Sequence, residues 1–347
     1  MLARLARLAQ LAVLGAACGT ASVAAPREDD SDRPAPLDEM MVATHVEFDP
    51  TGDVIYKLQD DLGFENWNIG VTLTQPPGLP KIEALRIHHR AAGQRHQTVE
   101  FDAVALSTFV DPSARTPGTL PLRNLHFALP AALGIDEVEV EVRAAGKTTG
   151  RAIARLHAYE QRGKYRLPMR GCWFVSSGHD FGTEHRRHLG RGHFAWDFLR
   201  VDWNGQTSSG PALEDSYAYA QTIVAVADGK VLAARDDLPD SAPGRGRGEA
   251  NFVEVDHRNG EISRIVHLRP GTLRVHAGDR VWAGQPLAEV GNSGESDTPH
   301  LHIGFHKRGD QVHPVPVNFS DYTVRWNQGT HTVQSGRPRR GQFVCAD

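Results

Sequence analysis

His300-Leu301-His302, entered through Thr298-Pro299, is the stretch of this sequence with the clearest chemistry. On a strand, residues i and i+2 face the same way, roughly 6–7 Å apart. One imidazole can then bind a metal while the other hangs in the cleft beside it. The stretch closes a run of turn signals: Gly278-Asp279-Arg280-Val281, Gly284-Gln285-Pro286-Leu287 and Gly291-Asn292-Ser293-Gly294. An isolated His-x-His reads equally well as a polar strand face. Here further groups of the same chemistry lie upstream: His185, His188, His193, Asp197 and His267.

A catalytic zinc takes three protein ligands and keeps one position open for water. Bound zinc lowers the pKa of that water to about 7, and neutral histidines nearby can move protons. Asp197, within His193-Phe194-Ala195-Trp196-Asp197, offers a carboxylate, and His302 an imidazole. His300 and His267 are left as catalytic groups. The third ligand stays open at this level. Residues i and i+4 on a straight strand sit about 13 Å apart. His193 can therefore share a metal with Asp197 only if the backbone bends between them, and His185 or His188 reaches equally well.

The elements that must hold these groups read as mainly β. Val138-Glu139-Val140-Glu141-Val142 alternates as a half-buried strand does, and residues 82–88 and 98–110 are further strand candidates. Pro and Gly clusters at 75–80 and 111–118 punctuate them. These features predict a small β-sandwich over residues 41–157, in which His88, His89 and His96 read as surface residues. Residues 158–170 connect it to a second domain, within 158–347. There short strands are predicted at 222–226, 231–233, 252–255, 262–267, 279–282, 287–290 and 300–305, with a surface loop at 236–248.

The N-terminus predicts an exported protein, periplasmic or secreted. Arg4 and Arg7 precede an apolar run, and Ser22-Val23-Ala24 is a small-x-small cleavage site, so residues 1–24 read as a signal peptide. A lipoprotein signal would place Leu three residues before Cys18, where Gly15 stands, so lipidation is the lesser expectation. Residues 25–40, rich in Asp, Pro and Arg, read as a disordered linker. Removing Cys18 leaves Cys172 and Cys345, which predicts a disulfide. Closing so long a loop contributes on the order of 4–5 kcal/mol in the chain-entropy model. At 347 residues the chain is long enough for two cores. Its net charge of -4 gives no sign of nucleic-acid binding, and no segment is long and apolar enough to span a bilayer.

Over residues 172–306 the sequence resembles the lysostaphin-type and β-lytic-type zinc metallopeptidases that cut peptidoglycan cross-links. The ordered set that carries the resemblance is His267-Leu268, Gly278-Asp279-Arg280-Val281-Trp282-Ala283-Gly284-Gln285, Gly291-Asn292-Ser293-Gly294 and Pro299-His300-Leu301-His302. It implies a twisted antiparallel β-sheet, barrel-like fold of the duplicated hybrid motif type, with zinc in a groove. It implies Asp197 and His302 as ligands and His267 and His300 as the catalytic pair. For the first ligand it implies two answers. The pattern His-x-x-x-Asp selects His193. A second branch has Gly, then His-Arg-Arg, then Phe-Ala-x-Asp. It is matched by Gly178, His185-Arg186-Arg187 and Phe194-Ala195-Trp196-Asp197, and by Asp237-Leu238-Pro239 and His267-Leu268-Arg269-Pro270-Gly271. That wider match favours His185, then His193, then His188. One departure is Ile265, where many relatives carry a Tyr that can donate a hydrogen bond to the transition-state oxyanion.

The resemblance implies an exported zinc endopeptidase acting on peptidoglycan peptides, at a D-alanyl-diaminopimelate or a glycyl bond. Two alternatives share the fold: a non-catalytic relative that binds cell wall or activates another hydrolase, and a secreted protease of Gly-rich proteins. A lipoyl- or biotinyl-type carrier shares the Gly-Asp-x-Val-x-x-Gly-Gln turn, but residues 287–296 contain no Lys to modify.

Overall fold

The computed structural model describes residues 44–49, 54–180, 183, 185, 192–326 and 329–346. The expected signal peptide, the expected linker and His188 lie outside them.

Two sheets build the N-terminal part. One pairs Phe64–Thr74 with His45–Asp49, Leu58–Gln59 and Thr119–Pro130. The other runs in the order Val54–Tyr56, Lys147–His157, Glu137–Ala144, Ile82–Ala91, Gln94–Asp102. A single apolar cluster takes Trp67, Ile69 and Val71 from the first sheet and Leu85, Ile87, Val138 and Val140 from the second. This is the sandwich that alternating patterns predict.

Three local readings change. Residues 98–110 are not one strand: the strand ends at Asp102, whose carboxylate accepts from the Ala105 N–H and caps the helix Ala103–Ser107. Glu139 and Glu141 are not on a wet face. Both are buried, under Arg90 (2.7 Å to Glu139) and Arg151 (3.4 Å to Glu141). His88 and His89 are not surface residues either. His88 Nδ1 lies 2.7 Å from Thr98 Oγ1, and His89 is fully buried between Trp67 and Phe127.

The C-terminal part is a twisted antiparallel sheet of eleven strands that follows an open path and does not close. Its order is Arg280–Val281, Gly229–Arg235, Phe252–Asp256, Glu261–Val266, Leu301–Lys307, Trp196–Leu199, Gly171–Ser177, Phe343–Ala346, Phe319–Trp326, Gly329–Gly336, with Asp310–Pro314 beside Leu301–Lys307. Thr222–Val224 and Pro286–Glu289 form a separate pair across the core. The strands after residue 307 were not legible in the sequence. Cys345 was: it faces Cys172 in register across adjacent strands and is bonded to it.

The connection at 158–170 is tied to this sheet by one buried acid. Glu261 accepts hydrogen bonds from Tyr159 Oη, Tyr165 Oη and the N–H groups of Arg162 and Gly163. Farther along, Arg339 meets Asp61 at 2.6 Å, and the Tyr56 ring meets Phe194 edge-on, joining the two parts at a second place.

Candidate metal centre and groove

Strand register explains why distant residues meet. Trp196–Leu199, Leu301–Lys307 and Glu261–Val266 are neighbours, with Asp197 opposite His302 and His302 opposite Val266. On each strand alternate residues enter the core (Trp196 and Phe198; Leu301 and Ile303; Ile265), so Asp197, His302 and Val266 share the other face. That face floors a groove of about 700 Å³ that also takes in His185, His267 and His300.

Three side chains converge on Asp197. His302 Nδ1 lies 2.8 Å from Oδ1, His185 Nε2 lies 2.8 Å from Oδ2, and His300 Nε2 lies 3.3 Å from Oδ1. One atom from each of His185, Asp197 and His302 lies within 4.8 Å of the others. His185 Nε2 is buried and out of line for a hydrogen bond to the carboxylate it nearly touches. Two imidazoles and a carboxylate converging, with His185 Nε2 left without a hydrogen bond, fit a cation between them, and the donor set suits zinc.

His193 does not join this group. Residues 192–194 turn, with Ala195 N–H donating to Gly192 O, and the His193 ring stands edge-on to Phe194. His179, which the sequence reading did not single out, donates from Nε2 to Phe194 O (2.8 Å) and stacks on Trp196 at 3.7 Å. It holds the turn that leads into Asp197.

His267 and His300 stand beside the group, 4.9 Å apart between ring centres. Each Nδ1 faces a backbone carbonyl: His267 faces Ser293 O and His300 faces Thr298 O, both at 2.8 Å. A carbonyl can only accept, so each ring carries a proton on Nδ1, and His300 turns its Nε2 toward Asp197 Oδ1. Both acceptors belong to the turn at 291–298. The loop at 236–250 braces that turn: Asp240 accepts from the Asn292 N–H, Ser241 donates to Gly294 O, and Gly246 lies against the Ser296 backbone. Ser296, Asn292 and Asp240 thus support the histidines, through contacts between segments too far apart for spacing to reveal. Ile265 is in the core and offers the groove no donor.

Burial alone would raise the Asp197 carboxyl, but His300, His185 and His302 outweigh it and hold the group well below the usual carboxylate range. Burial, reinforced by His300 and His302, pulls His267 down to about 3. Burial also lowers His302, against the opposing pull of Asp197. Both rings are therefore neutral at pH 7, the form in which an imidazole ligates a metal or accepts a proton.

Residues 213–314 match peptidase family M23. The chain carries an M23 peptidase domain. The matched span holds His267, His300 and His302, while His185 and Asp197 precede it. The murein hydrolase activator NlpD of Salmonella dublin is 34% identical over 95 residues, covering 27% of this chain and 22% of that protein. The peptidoglycan DD-endopeptidase ShyA of Vibrio cholerae is 34% identical over 68 residues, covering 20% of this chain and 15% of that protein. The chain spans about a fifth of the length of the curated relatives it matches. Among solved structures, the catalytic domain of lysostaphin from Staphylococcus simulans aligns at 18% identity and a TM-score of 0.26, covering 41% of this chain and 86% of that one. Among the described residues, no helix around the M23 domain is long and apolar enough to cross a membrane.

Proposed function

We propose that the protein is a zinc-dependent endopeptidase that hydrolyses peptide cross-links of peptidoglycan outside the cytoplasm. The observation that carries this reading is the full set of groups in one groove: His185, Asp197 and His302 converging, with His267 and His300 beside them. The endopeptidase activity named for ShyA supports the substrate.

His185, Asp197 and His302 would hold the metal. Bound there, zinc supplies Lewis acidity and water of lowered pKa. The chain does the rest. Nε2 of His300 or His267 receives the proton of the attacking water, because both Nδ1 atoms are occupied by carbonyls. The imidazolium so formed returns the proton to the departing amine. Burial keeps His267 neutral across the physiological range.

A second reading is a hydrolase activator of the same fold, favoured by the similarity to the murein hydrolase activator NlpD. Digestion of purified cross-linked peptidoglycan by the protein lacking residues 1–24, with and without zinc stripping, separates the two. Zinc-dependent loss of cross-linked dimers with matching new monomers is the expected result. Bound zinc without any cleavage would turn the assignment toward the activator.

A further inference from the structure

The groove floor continues past the metal-candidate group to a corner that the chemistry above does not use. Arg264 stands two residues before Val266 on the same strand, and Gly304 stands two residues after His302. The two face each other in register, about 7 Å along the strands from the Val266–His302 pair. Glu254 completes the row opposite Arg264. All three line the groove, as does His306.

The Arg264 guanidinium lies over the Phe252 ring at 3.9 Å and binds Glu254 Oε1 through Nη1 at 2.5 Å. Its plane is therefore set by two contacts. Among the described residues, Nε and Nη2 make no hydrogen bond, and the side chain is 24% exposed. His306 is buried, with Nδ1 donating to Lys307 O. Its Nε2 has no hydrogen bond and lies 3.8 Å from the same Glu254 oxygen. A cross-strand ion pair that only braced the sheet would not need a stacked guanidinium opposite a glycine on the floor of a groove.

We infer that Arg264 is a specificity residue that binds a substrate carboxylate close to the scissile bond, with Glu254 and Phe252 fixing the orientation of its fork. This rests on the proposed peptidase reading and names its substrate class. A planar guanidinium with two free donors on adjacent nitrogens matches a carboxylate bidentately. A glycyl bridge offers no such group. A cross-link through a diamino dicarboxylic acid does, on the carbon that bears the scissile amide nitrogen.

The test is equilibrium binding of two acetylated D-alanyl peptides, each N-methylated at the scissile amide so that it is not cleaved. The residue after that amide carries a free carboxylate in one peptide and the carboxamide in the other. The zinc-loaded full chain is expected to bind the carboxylate at least tenfold more tightly. Arg264→Met, which keeps the stem on Phe252, should erase the preference with zinc content unchanged, and Arg264→Lys should keep only part of it. The double variant Arg264→Met/Glu254→Gln leaves no buried charge unpaired and should behave as Arg264→Met does. Equal binding of the two peptides, binding of neither, or a preference that survives both Met variants would overturn the inference. Preference without cleavage of cross-linked peptidoglycan would leave it standing and overturn the proposed function. Cleavage without preference would do the reverse.

Discussion

Ile265 and His267 are two residues apart, yet one lies in the core and the other lines the groove. Strict alternation would put both in the core. The backbone at His267 has φ +61°, a left-handed conformation unusual for a residue other than glycine. It breaks the pleat and delivers Val266 and His267 to the same side, where Ser293 O holds the His267 ring. Strain at one residue is offset by the hydrogen bonds of its carbonyl to Gly291 N–H and its ring to Ser293.

Zinc content and activity should separate at His302 and His300. His302→Ala removes one of three converging ligand groups, so the protein should lose its metal and its activity together. His300→Ala should keep close to one zinc per chain while kcat falls by about 10²–10⁴. Elemental analysis beside single-turnover kinetics reads both. Full activity in His300→Ala would refute the role given to that ring.

Gly246→Val should damage activity more than folding. A Cβ at Gly246 would meet Ser296 N at 2.1 Å and Ser296 O at 2.4 Å. The surface loop can give way, but only by moving the turn whose carbonyls orient His267 and His300. A drop in kcat of tenfold or more is expected, with a change in Tm of a few degrees at most.

His89 should make the N-terminal sandwich acid-sensitive. Burial, with His88 adding to it, pulls its pKa from 6.5 down to about 4. The unfolded chain therefore binds more protons between those values. Stability is full above about pH 6.5 and falls progressively toward pH 4, by on the order of 3 kcal/mol. His89→Leu should flatten that part of the pH profile in chemical denaturation. A profile unchanged by the substitution would show that His89 is not its source.

Glu261→Gln should loosen the connection between the two parts. The carboxylate accepts from two tyrosine hydroxyls and two backbone N–H groups, and an amide has one oxygen fewer with which to accept. A loss of about 1–3 kcal/mol is expected, together with faster hydrogen exchange at Arg162 and Gly163. Unchanged exchange there would count against the tie.

Much of this was legible in the chain order of residues. Val138 to Val142 alternates in sequence and pairs as a strand, although both of its faces are buried. Cys172 and Cys345 could be paired by elimination, once Cys18 was assigned to a segment that is removed. His300-Leu301-His302 brings both rings to one groove, although the strand begins at Leu301 and His300 stands just before it. Asp102 shows the limit on the fold side: a capping side chain ended a strand that hydrophobicity alone would have continued.

What only the tertiary structure decided depends on where the chain goes between such segments. His185 and not His193 comes to Asp197, since the turn at 192–194 sets the His193 ring against Phe194. Spacing cannot express that, since i+4 describes a straight strand and not a bend. His267 enters the groove through one positive φ that no side-chain pattern announces. Arg264 faces Gly304 only after strands forty residues apart are brought into register. The residue types were chosen by chemistry that local sequence can show. Their convergence was decided by hydrogen-bonded register and turns, which couple positions far apart in the chain.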